Sequence, residues 1–171
     1  EFSNEVTLDY PIATSTVTVT LNVQQVQAPS NATQAAVIAG VLTTVLTNIL
    51  SNFPLPSNTQ LTITPLLLNG FLFNNLLNMR RLQALLVPNG SLSFDFAIAL
   101  TLTCTGTFEQ CQALQTQQIT NLMAQIQTAL LNALLNGSVE QEIQNQATVQ
   151  NVTALQNATV PTNNNLNATG I

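Results

Sequence analysis

A chain of 171 residues is the size of one domain, and at 46% hydrophobic it is globular rather than disordered. Only 5% of it is charged, with two basic residues, seven acidic ones and no histidine. That excludes binding to nucleic acid or anionic membrane through clustered cations, and it removes Ser-His pairs, Cys-His pairs and lysine nucleophiles.

In chain order, Val6, Leu8 and Tyr10 alternate with Thr7 and Asp9, and Pro11 follows. This predicts a short strand over 5–10, either paired with the next strand through 11–14 or acting as an arm that pairs elsewhere. Val17, Val19, Leu21 and Val23 alternate with Thr16, Thr18, Thr20 and Asn22. That period-2 pattern predicts a half-buried strand. Ala28-Pro29-Ser30 breaks it. Ser30 or Asn31 then caps a helix with Gln34 in capping-box position, and apolar pairs recur every four residues until Asn52 and Pro54 stop it. Its apolar run, 35–50, is shorter than the roughly 20 residues of a membrane span and is interrupted by Thr43, Thr44, Thr47 and Asn48. It reads as a core helix.

Residues 59–68 predict a strand that Pro65 bends or confines to an edge. The Asn-, Leu- and Phe-rich stretch 69–78 is ambiguous. Residues 79–87 predict a further strand, hairpinned through Pro88-Asn89-Gly90 to a strand over 91–103. Thr107 predicts the cap of a second long helix whose buried stripe is Cys111, Leu114, Gln118, Leu122, Ile126, Leu130 and Leu134, closed by Asn136-Gly137. Ser138 caps a short third helix to about 146, and 148–155 predicts a last strand. The expected division is an arm over 1–13, one α+β domain over 14–160 and a polar, Asn-rich tail over 161–171. The sequence opens in a polar stretch with no signal-peptide pattern, which reads as a processed chain.

Two kinds of motif stand out. Six N-x-S/T sequons begin at Asn31, Asn89, Asn136, Asn151, Asn157 and Asn167: the first opens a predicted helix, the second lies in a predicted turn, the third ends a helix and the last three crowd toward the C-terminus. They predict N-glycosylation and hence passage through a secretory pathway; the alternative is a set of turn and cap asparagines. Cys104 and Cys111 are the only cysteines. An even pair around a turn in an extracellular-looking chain predicts a disulfide, against two free thiols.

Strand, helix, strand hairpin, helix, strand is the order of a ferredoxin-like antiparallel sheet with two long helices on one face. With Gly90-Ser91-Leu92-Ser93-Phe94 after Pro88-Asn89, the chain resembles the extracellular SEA domain over about 15–160. Ser93 and Phe94 depart from the aliphatic run of that family. The resemblance implies a SEA-like fold and, in members that cleave themselves, attack by the Ser91 hydroxyl on the Gly90 carbonyl.

The acids are Glu1, Glu5, Asp9, Asp95, Glu109, Glu140 and Glu142, with no Asp-x-Asp run and no facing pair in the pattern. No enzyme, metal or cofactor is expected. Arg80-Arg81 reads as an edge-strand charge pair or as a dibasic processing site. The Leu- and Phe-rich stretch 66–77 reads as core or subunit contact rather than the lining of a lipid pocket. The expectation is a secreted, glycan-bearing structural subunit at the cell surface. Its partners are copies of itself, joined by strand addition through Val6, Leu8 and Tyr10, with no nucleic acid and no membrane span. The other reading is a solitary adhesion or mucin-type module.

Overall fold

A computed structural model describes residues 10–75, 78–81, 90–104, 108–161 and 169–170. The chain is α+β. Its strands are β1 (Tyr10–Gln24), β2 (Thr59–Leu68), β3 (Phe71–Asn75), β4 (Asn78–Arg81), β5 (Ser91–Cys104) and β6 (Thr169–Gly170). Its helices are α1 (Ala32–Ser51), α2 (Phe108–Leu135) and α3 (Ser138–Val149), followed by a 3-10 turn at Thr153–Leu155. The sheet order is β4-β3-β2-β5-β1-β6.

Alternation explains the sheet. Val17, Val19, Leu21 and Val23 on β1 face the same way as Ile98, Phe96, Phe94 and Leu92 across the ladder, and all are buried. The Phe94 and Phe96 rings stack with centroids 5.4 Å apart. α1 and α2 lie against this face, and α3 packs against both helices. The other face carries Thr16, Thr18, Thr20, Ala97 and Ala99, all half-buried.

α1 begins where the sequence places it. The Asn31 side chain accepts the Gln34 N–H at 2.9 Å, and the Gln34 side chain accepts from the Ser30 N–H, so free amides of the first turn and its lead-in are satisfied. By length and composition α1 qualifies as a membrane span, but Ile38, Val41, Leu42, Val45, Leu46 and Leu50 are buried in the core. In α2, Leu122, Ile126, Leu130 and Leu134 form the predicted buried stripe, with Gln118 half-buried. The side chains at 111 and 114 and the expected cap Thr107 lie outside the described residues. Gly137, at φ +82, makes the left-handed turn that lets α2 reverse into α3.

Four expectations need correction. Pro11 does not end a strand: β1 runs on to Tyr10, which pairs with Cys104, and a register shift between Pro11 and Ala13 absorbs the imino residue. Tyr10 therefore belongs to the sheet of its own chain and not to a free arm; Val6 and Leu8 lie outside the described residues. The hairpin expected between 79–87 and 91–103 is not formed, because β4 pairs with β3 while β5 lies between β1 and β2. Residues 82–89 of that segment lie outside the described residues. The stretch 148–155 is not a strand. Val139, Ile143 and Ala147 share a buried helical stripe, so α3 continues to Val149 before the 3-10 turn. The last strand lies instead in the expected tail, where β6 pairs with Val17 and Thr18.

Candidate functional site

The described sequon asparagines, Asn31, Asn136, Asn151 and Asn157, are all exposed; Asn89 and Asn167 lie outside the described residues. At two of them the amide does structural work through its oxygen. Asn31 Oδ1 caps α1, and Asn136 Oδ1 accepts the Ser138 N–H at 2.9 Å in a turn. A glycan attaches through Nδ2, so neither hydrogen bond competes with it. Asn151 adopts φ +58, a left-handed conformation that asparagine tolerates better than most residues.

Backbone bonds gather several of these positions at one pole. Gln24 and Thr159 exchange N–H···O bonds at 2.8 Å, Gln27 N–H donates to Ala154 O at 3.2 Å, and Val26 N–H donates to Gly90 O at 3.1 Å. Thr33 and Gln34 of α1, with Asn151, Val152 and Thr153, line an open cleft of about 300 Å³ there. Three sequons, beginning at Asn31, Asn151 and Asn157, thus surround this end, and Gly90 brings the residue after Asn89 to it. Asn136 is elsewhere, on the α2–α3 turn, where Ser138 lines a cleft with Asn48 and Asn52 at the far end of α1.

Gly90 has φ +81, and its carbonyl is held by Val26. Ser91 opens β5, and its carbonyl accepts from Asn69 Nδ2 at 3.2 Å. The two successive carbonyls of Gly90 and Ser91 are thus each hydrogen-bonded. Cys104 at the end of β5 is disulfide-bonded. Cys111, the one other cysteine, sits on α2 with its side chain outside the described residues.

The described carboxylates are dispersed. Asp95 accepts from Thr20 Oγ1 at 2.6 Å across the β1–β5 ladder. Glu140 accepts the Val160 N–H at 2.9 Å, tying the last described loop to α3. Glu142 accepts from Asn48 at 2.9 Å and Gln146 at 3.2 Å, joining α1 to α3. Glu109 lies exposed in the first turn of α2, where the helix dipole favours a negative group. Among the described residues no group of three metal-ligating side chains forms. Arg80 and Arg81 lie on β4, the terminal strand of the sheet.

Two strands have long outer sides left open among the described residues; for β2 an edge position was one of the two readings of Pro65, and for β1 nothing in the sequence pointed to it. The fifteen-residue β1 is paired on its outer side, among the described residues, only by β6 at Val17 and Thr18 and by a bridge at Gln24. Among the described residues, β2 is paired on its outer side only at Leu67 and Leu68. Neither strand contains a charged residue. The lack of charge was visible in the sequence, but edge position depends on pairing partners.

No family model matches the chain, and no curated protein or solved structure matches it.

Proposed function

We propose that this chain is a structural subunit of an extracellular glycoprotein assembly, a filament or surface appendage, whose subunits join by strand addition involving the N-terminal segment. The observation that carries this reading is the pair of uncharged outer edges on β1 and β2, sparsely paired among the described residues. Monomeric sheet proteins block such edges with lysine, proline, bulges or covering loops. Here β1 and β2 carry no charge; each has one proline beside a register shift, Pro11 and Pro65, and the rest of its outer ladder has no such block among the described residues. A surface with net charge -5 and few charges of either sign suits burial between subunits.

Glycans at the exposed sequons would solubilise the pole that the subunit contact leaves open. They carry the proposal of secretion, which the disulfide at Cys104 also favours. A Cys104–Cys111 bond would tie the end of β5 to α2. The hydrogen-bonded, dispersed carboxylates favour a non-catalytic role, without metal or cofactor.

The split β-α-β order supports the ferredoxin-like and SEA-like readings. β1 and β2 flank β5, and β6 lies outside β1, all antiparallel to their neighbours. A solitary SEA-like module is the second reading, favoured by the hydrogen-bonded carbonyls of Gly90 and Ser91. Electron microscopy of native material, with intact mass before and after deglycosylation, tests both. Regular polymers of one glycosylated, uncleaved chain are expected. Uniform small particles would sink the subunit reading, and two fragments joining at Ser91 would establish self-cleavage.

A further inference from the structure

We infer that the outer edge of β2, over Thr59–Pro65, is the acceptor for the strand around Val6 and Leu8 of a second copy of this chain. The inference rests on the strand-addition reading above and names its acceptor.

The first observation is incomplete burial of the core-facing side chains of β2. Thr59, Leu61 and Ile63 of β2 oppose Leu102, Leu100 and Ile98 of β5 and so face the core. Leu100 and Ile98 have no exposed surface, and the inward residues Val17 to Val23 of β1 keep at most 4%. Leu61 and Ile63 remain only half-buried although they pack against the same core. A helix lies against each strand, α2 against β1 and α1 against β2, yet the apolar row Leu61 and Ile63 on the core side of β2 keeps part of its surface. One more strand with inward apolar side chains would complete it.

The second observation is the free ladder. β2 pairs with β3 only at Leu67 and Leu68, beyond the register shift at Pro65. Within 59–65 the Thr59 N–H donates to the Pro56 carbonyl and Pro65 has no N–H, so Leu61 and Ile63 are the residues that offer outward N–H and C=O groups with no strand against them among the described residues. An extended segment in which Val6 and Leu8 alternate with Thr7 and Asp9 supplies both needs: main-chain bonds to the ladder and two apolar side chains toward Leu61 and Ile63.

Reach then decides between the same chain and a neighbour. Tyr10 is held beside Cys104 on the far side of β5 from β2. A strand added outside β2 lies three inter-strand spacings from β1, about 14 Å. Leu8 lies two residues from Tyr10, within about 7 Å of it even when fully extended. It cannot reach the β2 edge of its own chain, so the donor comes from another copy. Repeated, this head-to-tail contact builds an open polymer.

Cysteine pairing tests this in the full chain. Leu8→Cys with Ile63→Cys, oxidised under native conditions, is expected to give a ladder of dimers, trimers and larger species on a non-reducing gel. Leu8→Cys with Thr18→Cys on β1, and each single variant, should give no ladder beyond dimer. If the β1 pairing ladders and the β2 pairing does not, the acceptor is wrong. Intramolecular closure of Leu8→Cys with Ile63→Cys would overturn donation between copies. Polymers in the microscope without any β2 cross-link would overturn the acceptor alone and leave the subunit reading standing; native material that is only monomeric would remove the subunit reading itself. A second variant, Ile63→Lys, places a charge in the half-buried row. With its fold intact by circular dichroism, it should abolish polymerisation, and polymers of unchanged length would overturn the inference.

Discussion

Asn31 caps α1 and also heads a sequon, and substitution separates the two. Its Oδ1 caps α1 by accepting the Gln34 N–H, while Nδ2 is available to a glycan. Asn31→Asp keeps a cap acceptor and removes the sequon; Asn31→Ala removes both. In unglycosylated protein, Asn31→Ala should therefore lower unfolding free energy by about 1 kcal/mol, and Asn31→Asp should leave it nearly unchanged. Urea denaturation measures this directly. Equal losses in the two variants would mean that the cap contributes nothing. In secreted material both variants should lose one glycan mass. The cap was legible because Asn31, Gln34 and the apolar period after them agree. The Thr20–Asp95 bond was not, since it depends on a cross-strand register that brings together residues 75 apart. Local chemistry can be read along the chain, but cross-ladder partners cannot be named until the pairing is known.

Elements follow the same division. β1, α1, β5 and α2 have long, single-period patterns, and the structure places each close to its predicted span. The errors arose where a short pattern fits two structures. Residues 148–155 are too short a stretch to separate strand from helix, and the Gln150 N–H donates to the Gln146 carbonyl at 2.9 Å, which completes the last helical turn of α3. The hairpin at Pro88-Asn89-Gly90 was inferred from turn chemistry alone, and tertiary pairing gave β5 to β1 and β2 instead. The β5 stripe was unambiguous and lies at the centre of the sheet. Phe96→Ala, which opens a cavity beside Phe94 in a fully buried position, should cost about 3 to 5 kcal/mol. A loss below about 1 kcal/mol in chemical denaturation would show that the core collapses around the gap. At the end of the same strand, replacing both Cys104 and Cys111 by serine should cost about 2 to 3 kcal/mol, the usual worth of closing so short a loop. Equal stability of the double-serine variant and wild type under non-reducing conditions would remove the tie between β5 and α2.

At the scale of the molecule, the scarcity of charge dictates how an assembly of this chain responds to salt. Contacts made by ion pairs between exposed groups weaken when the Debye length falls from about 10 Å at 0.1 M to about 3 Å at 1 M. This chain has two cations in all, both on β4, so no ring of intersubunit ion pairs can be built from it. Strand addition rests on main-chain hydrogen bonds and on apolar burial over Leu61 and Ile63. Salt does not screen the first, and excluded salts strengthen the second. Polymers should therefore keep their length between about 0.1 and 1 M sodium chloride and lengthen in sulfate, as read by light scattering. Urea, which solvates peptide groups and apolar surface alike, should dissociate them before the α+β domain unfolds, because the added strand has only one sheet edge to hold it while β5 is held on both sides. Dissociation by salt alone would show that charge holds the subunits together, and the acceptor edge would then have to be sought near Arg80 and Arg81 rather than on β2.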